Sequence, residues 1–181
     1  MNTDHRIRAL INRLARIYAS EGWAGDLNPT QRMALEYLAE ANMYSRSPSN
    51  VAEYIGTTRG TMSQTLKALA RKGYVEEHRK EHDQRSISYE LTKDGGEIVR
   101  QTNPVAQAIG VMPLENQAML EQGLMQSLSL ALAANGGRSF GQCKSCAHHD
   151  VTTENGFCKL LSVSLEPGEK DKICIEHEEA R

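Results

Sequence analysis

Apolar residues recur at spacings of three and four along most of the chain, interrupted by one short interval of alternation. Over residues 5–20, Ile7, Leu10, Ile11, Leu14, Ile17 and Tyr18 keep helical spacing, with Arg6, Arg8, Arg13 and Arg16 elsewhere on the surface. Such a stripe needs a partner surface. Residues 21–28 hold two glycines and read as a linker. Asn28-Pro29 opens a second helix, because proline in the first turn lacks only an N–H that would be unpaired anyway. Met33, Leu35, Tyr37 and Leu38 line it, and it is expected to end near Asn42. Thr30 and Gln31 read as capping and surface groups.

After the connector MYSRSPS, Ser49 is expected to cap a short helix with Val51, Ala52 and Ile55 inward and Gly56 as its stop. Thr57 or Thr58 then caps another helix, with Met62, Leu66, Leu69 and Ala70 as its buried face. Gly73 ends that helix. Tyr74–Arg79 reads as a strand, and Ser86–Leu91 alternates, with Ile87, Tyr89 and Leu91 on one side. KEHDQR between them forms a hairpin tip. Thr92 caps a long helix to about Ile109, which Pro104 should kink or break. Pro113 opens a last helix, Leu114 to about Ala134, before the stop Asn135-Gly136-Gly137. This last helix carries more apolar surface than a free helix keeps in water, and a second subunit is the simplest cover. The fold class is mainly α with a small β-wing: helix-turn-helix, then wing.

The exposed face of the helix after Thr58 holds Arg59, Gly60, Thr61, Ser63, Gln64 and Lys67. Hydroxyls and amides read base edges and cations sit on phosphates, so this face suits a DNA major groove. Gly60 weakens a helix and is expected to let the backbone approach a duplex. Arg79, Lys80 and Arg85 are placed to reach a backbone or minor groove, with Asp83 positioned to hold Arg85. Thr57–Arg85 carries seven basic and four acidic residues, although the whole chain has a net charge of −2. The local excess is the informative quantity.

These residues resemble the MarR family of winged-helix transcriptional regulators. The matching pieces are LNPTQRMALEYLAE, NVAEYIGTTRGTMSQTLKALARKGYVEE, the wing-tip Asp83-Gln84-Arg85 and YELTKDGGEIV, within residues 5–135. The resemblance implies that Thr58, Arg59, Thr61, Ser63, Gln64 and Lys67 occupy recognition-helix positions and that Arg85 is the wing arginine. It also implies a homodimer, double-stranded DNA with a pseudo-palindromic operator as partner, repression as the usual outcome, and a small molecule or oxidant as effector. The expected division is 1–26 dimerisation helix, 27–92 DNA-binding domain, 93–135 dimerisation helices and 136–181 cysteine-rich tail.

No apolar run reaches membrane-spanning length, and the N-terminus lacks an apolar signal core, so a cytoplasmic location is expected. No cofactor loop, Ser-His-Asp order or HExxH segment points to catalysis. Glu36, Glu40 and the histidines are scattered and fit surface positions. A protein-binding adaptor is disfavoured by the polar recognition face and the basic wing.

All four cysteines fall in the tail: Cys143, Cys146, Cys158 and Cys174. Phe140–Arg181 has five basic and eight acidic residues, a poor surface for DNA. The tail is short for an apolar core, and a metal can supply the missing folding free energy. A C-x2-C pair followed by two further cysteines offers four sulfur ligands for zinc or an iron–sulfur cluster, with His148 and His149 as substitutes or supporting groups. The layout looks like the cluster-binding segment of high-potential iron–sulfur proteins, although the last interval is longer here. An iron–sulfur cluster is preferred to zinc, since only a cluster gives the tail a sensing role. The alternatives are a structural zinc tail with small-molecule sensing at the dimer interface, and metal-free thiols acting as a thiol–disulfide switch.

Overall fold

The computed structural model describes residues 2–21, 26–80, 83–151 and 155–180, with the side chains of residues 21, 80 and 83–86 outside that description. In chain order it has α1 (Thr3–Glu21), α2 (Pro29–Glu40), α3 (Pro48–Ile55), α4 (Arg59–Arg71), β1 (Val75–Lys80), β2 (Asp83–Leu91), α5 (Lys93–Arg100), α6 (Pro104–Gly110) and α7 (Leu114–Asn135). The tail adds three two-residue strands, β3 (His149–Asp150), β4 (Phe157–Cys158) and β5 (Val163–Ser164), paired antiparallel in that order. Among the described residues, no helix is long and apolar enough to cross a membrane.

The core sits where α2, α3, α4 and the wing meet. Leu35, Tyr37, Leu38, Val51, Met62, Leu66, Leu69, Val75 and Tyr89 are all buried there. Local chemistry sets the helix starts. Asn28 and Gln31 form a reciprocal capping box ahead of Pro29. Gln31 is buried rather than a surface group, because its Oε1 also accepts from the Lys72 ammonium at 3.2 Å. Ser47, not Ser49, caps α3, since Pro48 takes the first helical position and the Ser47 hydroxyl is within reach of the Asn50 N–H. Gly56 ends α3 at φ 74°, a conformation glycine adopts without Cβ strain. The expected long helix after the wing is broken in two. α5 ends at Arg100, and Asn103 caps a new start at Pro104.

Gly95 lies under the root of the wing. A Cβ there would stand 2.0 Å from the Tyr74 carbonyl oxygen, so α5 approaches β1 this closely only with glycine. Thr92 completes the joint by donating to the Gly73 carbonyl at 2.7 Å.

The tail docks on its own subunit, against residues 40–46. Ile173 N–H donates to the Glu40 carbonyl at 2.7 Å, and Asn42 N–H returns a bond to the Ile173 carbonyl at 2.8 Å. Ile175 N–H donates to the Ser45 hydroxyl at 2.9 Å, and Met43 N–H to the Glu169 carboxylate at 3.0 Å. Phe140 packs edge-on against Tyr54, with ring centroids 5.2 Å apart. α2 stops at Glu40 because Ala41 turns to extended backbone and pairs with Ile173.

Ser45 is fully buried, accepting from Ile175 and donating to Asn42 Oδ1 at 2.7 Å. Ser45→Ala leaves the Ile175 N–H without that partner, at a cost of about 1–3 kcal/mol. Urea denaturation should show the loss, and amide exchange at Ile175 should speed up more than exchange in α4.

Candidate nucleic-acid interface

α4 is carried on Met62, Leu66 and Leu69, each with no exposed surface. Helical spacing then turns Arg59, Gly60, Thr61, Gln64 and Lys67 to solvent, with Ser63 half-buried at the edge. Thr58 caps the helix: its hydroxyl oxygen accepts from Thr61 N–H at 3.1 Å and lies 2.9 Å from the Thr61 hydroxyl. Thr58 is thus engaged in ending the turn, whereas Arg59, Gln64 and Lys67 project freely enough to meet a ligand. Gly60 meets no crowding within the chain, since a Cβ would lie 3.9 Å from the Thr58 hydroxyl, an ordinary contact.

β1 and β2 pair antiparallel from Val75↔Leu91 to Arg79↔Ile87, with a register shift before Lys80↔Asp83. Tyr89 anchors the wing in the core, and its N–H donates to the Arg46 carbonyl at 3.1 Å, tying β2 to the residue before the α3 cap. Arg79 does not extend freely. Its Nη2 and Nε donate to Glu77 Oε1 at 2.7 and 2.9 Å, and the Tyr89 hydroxyl donates to Glu77 Oε2 at 2.7 Å. These donors hold the Glu77 carboxyl below the usual carboxylate range, the Tyr89 hydroxyl first and Arg79 second. Burial and the Glu77 contact push the Tyr89 hydroxyl up. The expected side-chain roles of Lys80 and Arg85, and the Asp83 hold on Arg85, lie outside the described residues.

A second feature borders α2 and α3. Tyr18, Met33, Glu36, Tyr37, Glu40, Tyr54 and Ile173 line a cavity of roughly 240 Å³. Glu36 is held by the Tyr18 hydroxyl and by Arg32 Nε at 2.9 Å, and Arg32 also donates to the Gln101 carbonyl at 2.8 Å. The sequence reading missed this convergence. Glu36 and Glu40 share one face of α2, but Tyr18 and Ile173 reach them only through the path of the chain.

The four-cysteine metal centre expected in the tail is corrected by the structure. Among the described residues, no group of three or more histidine, cysteine, aspartate or glutamate side chains could hold a metal ion. The iron–sulfur cluster and the zinc site on Cys143, Cys146, Cys158 and Cys174 are both withdrawn. All four thiols are free. They line one small apolar pocket with Leu160, Leu161 and Leu165, and two of them accept hydrogen bonds from other residues. Cys143 Sγ accepts from Asn42 Nδ2 at 3.4 Å, and Cys146 Sγ from Glu178 N–H at 3.5 Å. The proximity of the two thiols pushes Cys143 up and Cys174 down. Backbone pairing and docking on residues 40–46 hold the tail instead of an ion.

Residues 25–86 match the profile described as MarR family. This segment is similar to that family and folds as a winged helix-turn-helix. The transcriptional repressor MprA of Escherichia coli K12 is 28% identical over 81 residues, 45% of this chain and 46% of that protein. The chain thus spans about half the length of the curated relatives it matches. The Streptococcus pneumoniae FabT structure in complex with DNA is 25% identical, with a TM-score of 0.55 over 72% of this chain and 95% of that one. The Staphylococcus aureus MepR–DNA complex shares the fold at 19% identity, TM-score 0.55, covering 71% and 98%. Reduced MarR from E. coli does so at 20% identity, TM-score 0.54, covering 71% and 97%. None of these alignments spans the whole chain.

The wing responds to pH through the Glu77 carboxyl. Its folded-state pKa is depressed, so its stabilising contribution is present above the unfolded-state pKa and is lost as pH falls through the lower folded value. In Tyr89→Phe the carboxyl should titrate at higher pH, and acid loosening of the wing should begin earlier. Side-chain carboxyl NMR read against pH checks both. Thr58→Ala should cost about 1 kcal/mol through the lost cap, measured by thermal denaturation.

Proposed function

We propose that the chain is a homodimeric, sequence-specific transcriptional regulator of double-stranded DNA, acting as a repressor on a pseudo-palindromic operator. The carrying observation is the solvent-facing set Arg59, Thr61, Gln64 and Lys67 on a helix whose other face is fully buried, beside an antiparallel wing. In this reading Gln64 and Thr61 read base edges with Ser63 at the margin, and Arg59 and Lys67 sit on phosphates. Thr58 fixes the N-terminal turn, and the wing brings Arg79, Lys80 and Arg85 to the backbone or minor groove. Arg79 must exchange its Glu77 contact for a phosphate to do so. The DNA-bound relatives FabT and MepR and the repressor MprA support this reading by likeness.

A second copy of the chain is the proposed cover for the apolar helices. Ile7, Leu10, Ile11, Leu14, Ile109 and Leu124 are exposed in one subunit and face a common apolar cleft of roughly 570 Å³. Residues 1–26 and 93–135 form the dimerisation part, 27–92 the reader and 136–181 the tail. The tyrosine-lined cavity beside Glu36 and Glu40 is the proposed place for a small-molecule effector. The tail thiols are the proposed redox input.

Titration against mixed duplex DNA at two salt concentrations tests the central claim, because counterion release makes phosphate-dependent binding fall steeply with salt. Binding without salt dependence, or none at low salt, refutes it. Lys67→Ala should reduce the log–log salt slope by about 1 and weaken all sequences alike. Gln64→Ala should instead cost about 1–3 kcal/mol on the preferred site and relax its specificity. Gly60→Ala should stabilise the free protein by roughly 0.5–1 kcal/mol while weakening DNA binding, since the only crowding it creates is toward the duplex. Equal DNA affinity would remove the close-approach role of Gly60.

A further inference from the structure

The connector between α2 and α3 is a junction of three parts of the molecule. Asn42 and Ser45 are both buried in it. Asn42 Oδ1 accepts from Ser45 Oγ at 2.7 Å and Tyr44 N–H at 3.1 Å. The Ser45 carbonyl accepts from the Tyr37 hydroxyl at 2.9 Å, which fixes the connector to α2. The next residue, Arg46, holds the wing through Tyr89 N–H. The residue after that, Ser47, caps α3. Any displacement of the connector therefore moves the first helix of the reader and the base of the wing together.

Two cysteines lie against this junction. Cys143 meets it directly, through Asn42 Nδ2 at 3.4 Å. Cys174 meets it through its neighbours: Ile173 bonds to Glu40 and Asn42, and Ile175 to Ser45. The two lie on adjacent backbone segments joined by Cys174 N–H to the Gly141 carbonyl at 2.9 Å and Cys143 N–H to the Lys172 carbonyl at 3.3 Å. Both side chains are buried in one cluster with Leu165. Cys146 differs: its sulfur accepts from the Glu178 N–H.

We infer that Cys143 and Cys174 form a reversible dithiol–disulfide pair whose closure shifts the Asn42–Ser47 connector and so changes DNA affinity. This rests on the DNA-binding reading and names the input that regulates it. The oxidant class is a small-molecule disulfide. The Cys174 sulfur, its proton given to solvent, attacks one sulfur of that disulfide. A mixed disulfide forms, and one small thiolate leaves and takes up a proton. The Cys143 sulfur then attacks the Cys174 sulfur, forming the protein disulfide and releasing the second small thiol. Two protein thiols lose two electrons and two protons, and the small disulfide is reduced to two thiols. Closure fixes the two Cβ atoms about 3.5–4.5 Å apart and replaces the Cys143 thiol that accepts from Asn42 by a disulfide sulfur.

The test uses the full chain equilibrated in mixtures of oxidised and reduced β-mercaptoethanol. Disulfides are mapped by mass spectrometry, amide exchange is followed over residues 41–47, and affinity is measured on mixed duplex DNA. A Cys143–Cys174 link, altered exchange at Asn42–Ser47 and at least about a fivefold, reversible change in affinity are expected. Cys174→Ser should abolish all three responses, and Cys146→Ser should keep them. A link to Cys146 or Cys158 instead, no link at all, or a Cys143–Cys174 link that leaves exchange and affinity unchanged each overturns the inference. Absence of DNA binding by the fully reduced chain would refute the DNA reading, and the mapped link and connector exchange would then judge the switch by themselves.

Discussion

Met62, Leu66 and Leu69 have no exposed surface, and their burial against α2, α3 and the wing decides which side of α4 meets solvent. A helix cannot rotate about its axis without moving all three at once. Losing even one such side chain from a packed core costs roughly 2–5 kcal/mol. The polar side of α4 is therefore held in one orientation before any ligand arrives. The wing is set by the same core, through Val75 and Tyr89. Gly95 lets α5 close in under the wing root where no side chain would fit.

The second constraint is polar. Buried polar groups are tolerable only when paired, and Asn42 and Ser45 are paired with one another, with Tyr37 and Tyr44, and with the tail. This gives residues that are remote in sequence a direct mechanical link to the reader. The Ile175–Ser45 bond joins positions 130 apart. A tail without a sufficient core of its own is thus held by contacts with the reader. The spacing of its cysteines had suggested an ion for that task. The thiols are used otherwise, and spacing along the chain does not report how sulfur atoms are directed in space.

Apolar surface left on α1, α6 and α7 contrasts with the closed core of the reader. Ile7, Leu10, Leu14, Met119, Leu124 and Leu128 are exposed in one subunit. Exposure on this scale is costly in water, and patches of this kind mark association surfaces. They lie on the helices flanking the core of α2, α3, α4 and the wing, outside the part that closes on itself.

Much of the local architecture was legible in the residues. Periodicity located the helices and the wing strands, and Asn28, Gly56, Thr58 and Thr92 take their expected capping or stop roles, because these depend on neighbours within a few positions. The buried face of α4 followed from spacing alone. One cap differed for a local reason, Pro48 moving the α3 cap from Ser49 to Ser47, whereas the break expected at Pro104 occurs, with Asn103 capping the new start. The tertiary structure alone decided the rest. It paired Arg79 with Glu77, brought Tyr18 onto Glu36, placed Ile173 and Ile175 on the α2–α3 connector, and joined Cys143 to Asn42 rather than to an ion. Helical spacing and capping are set within one or two turns of chain. Contacts between distant segments depend on how packed elements steer the chain, and no local pattern encodes that path.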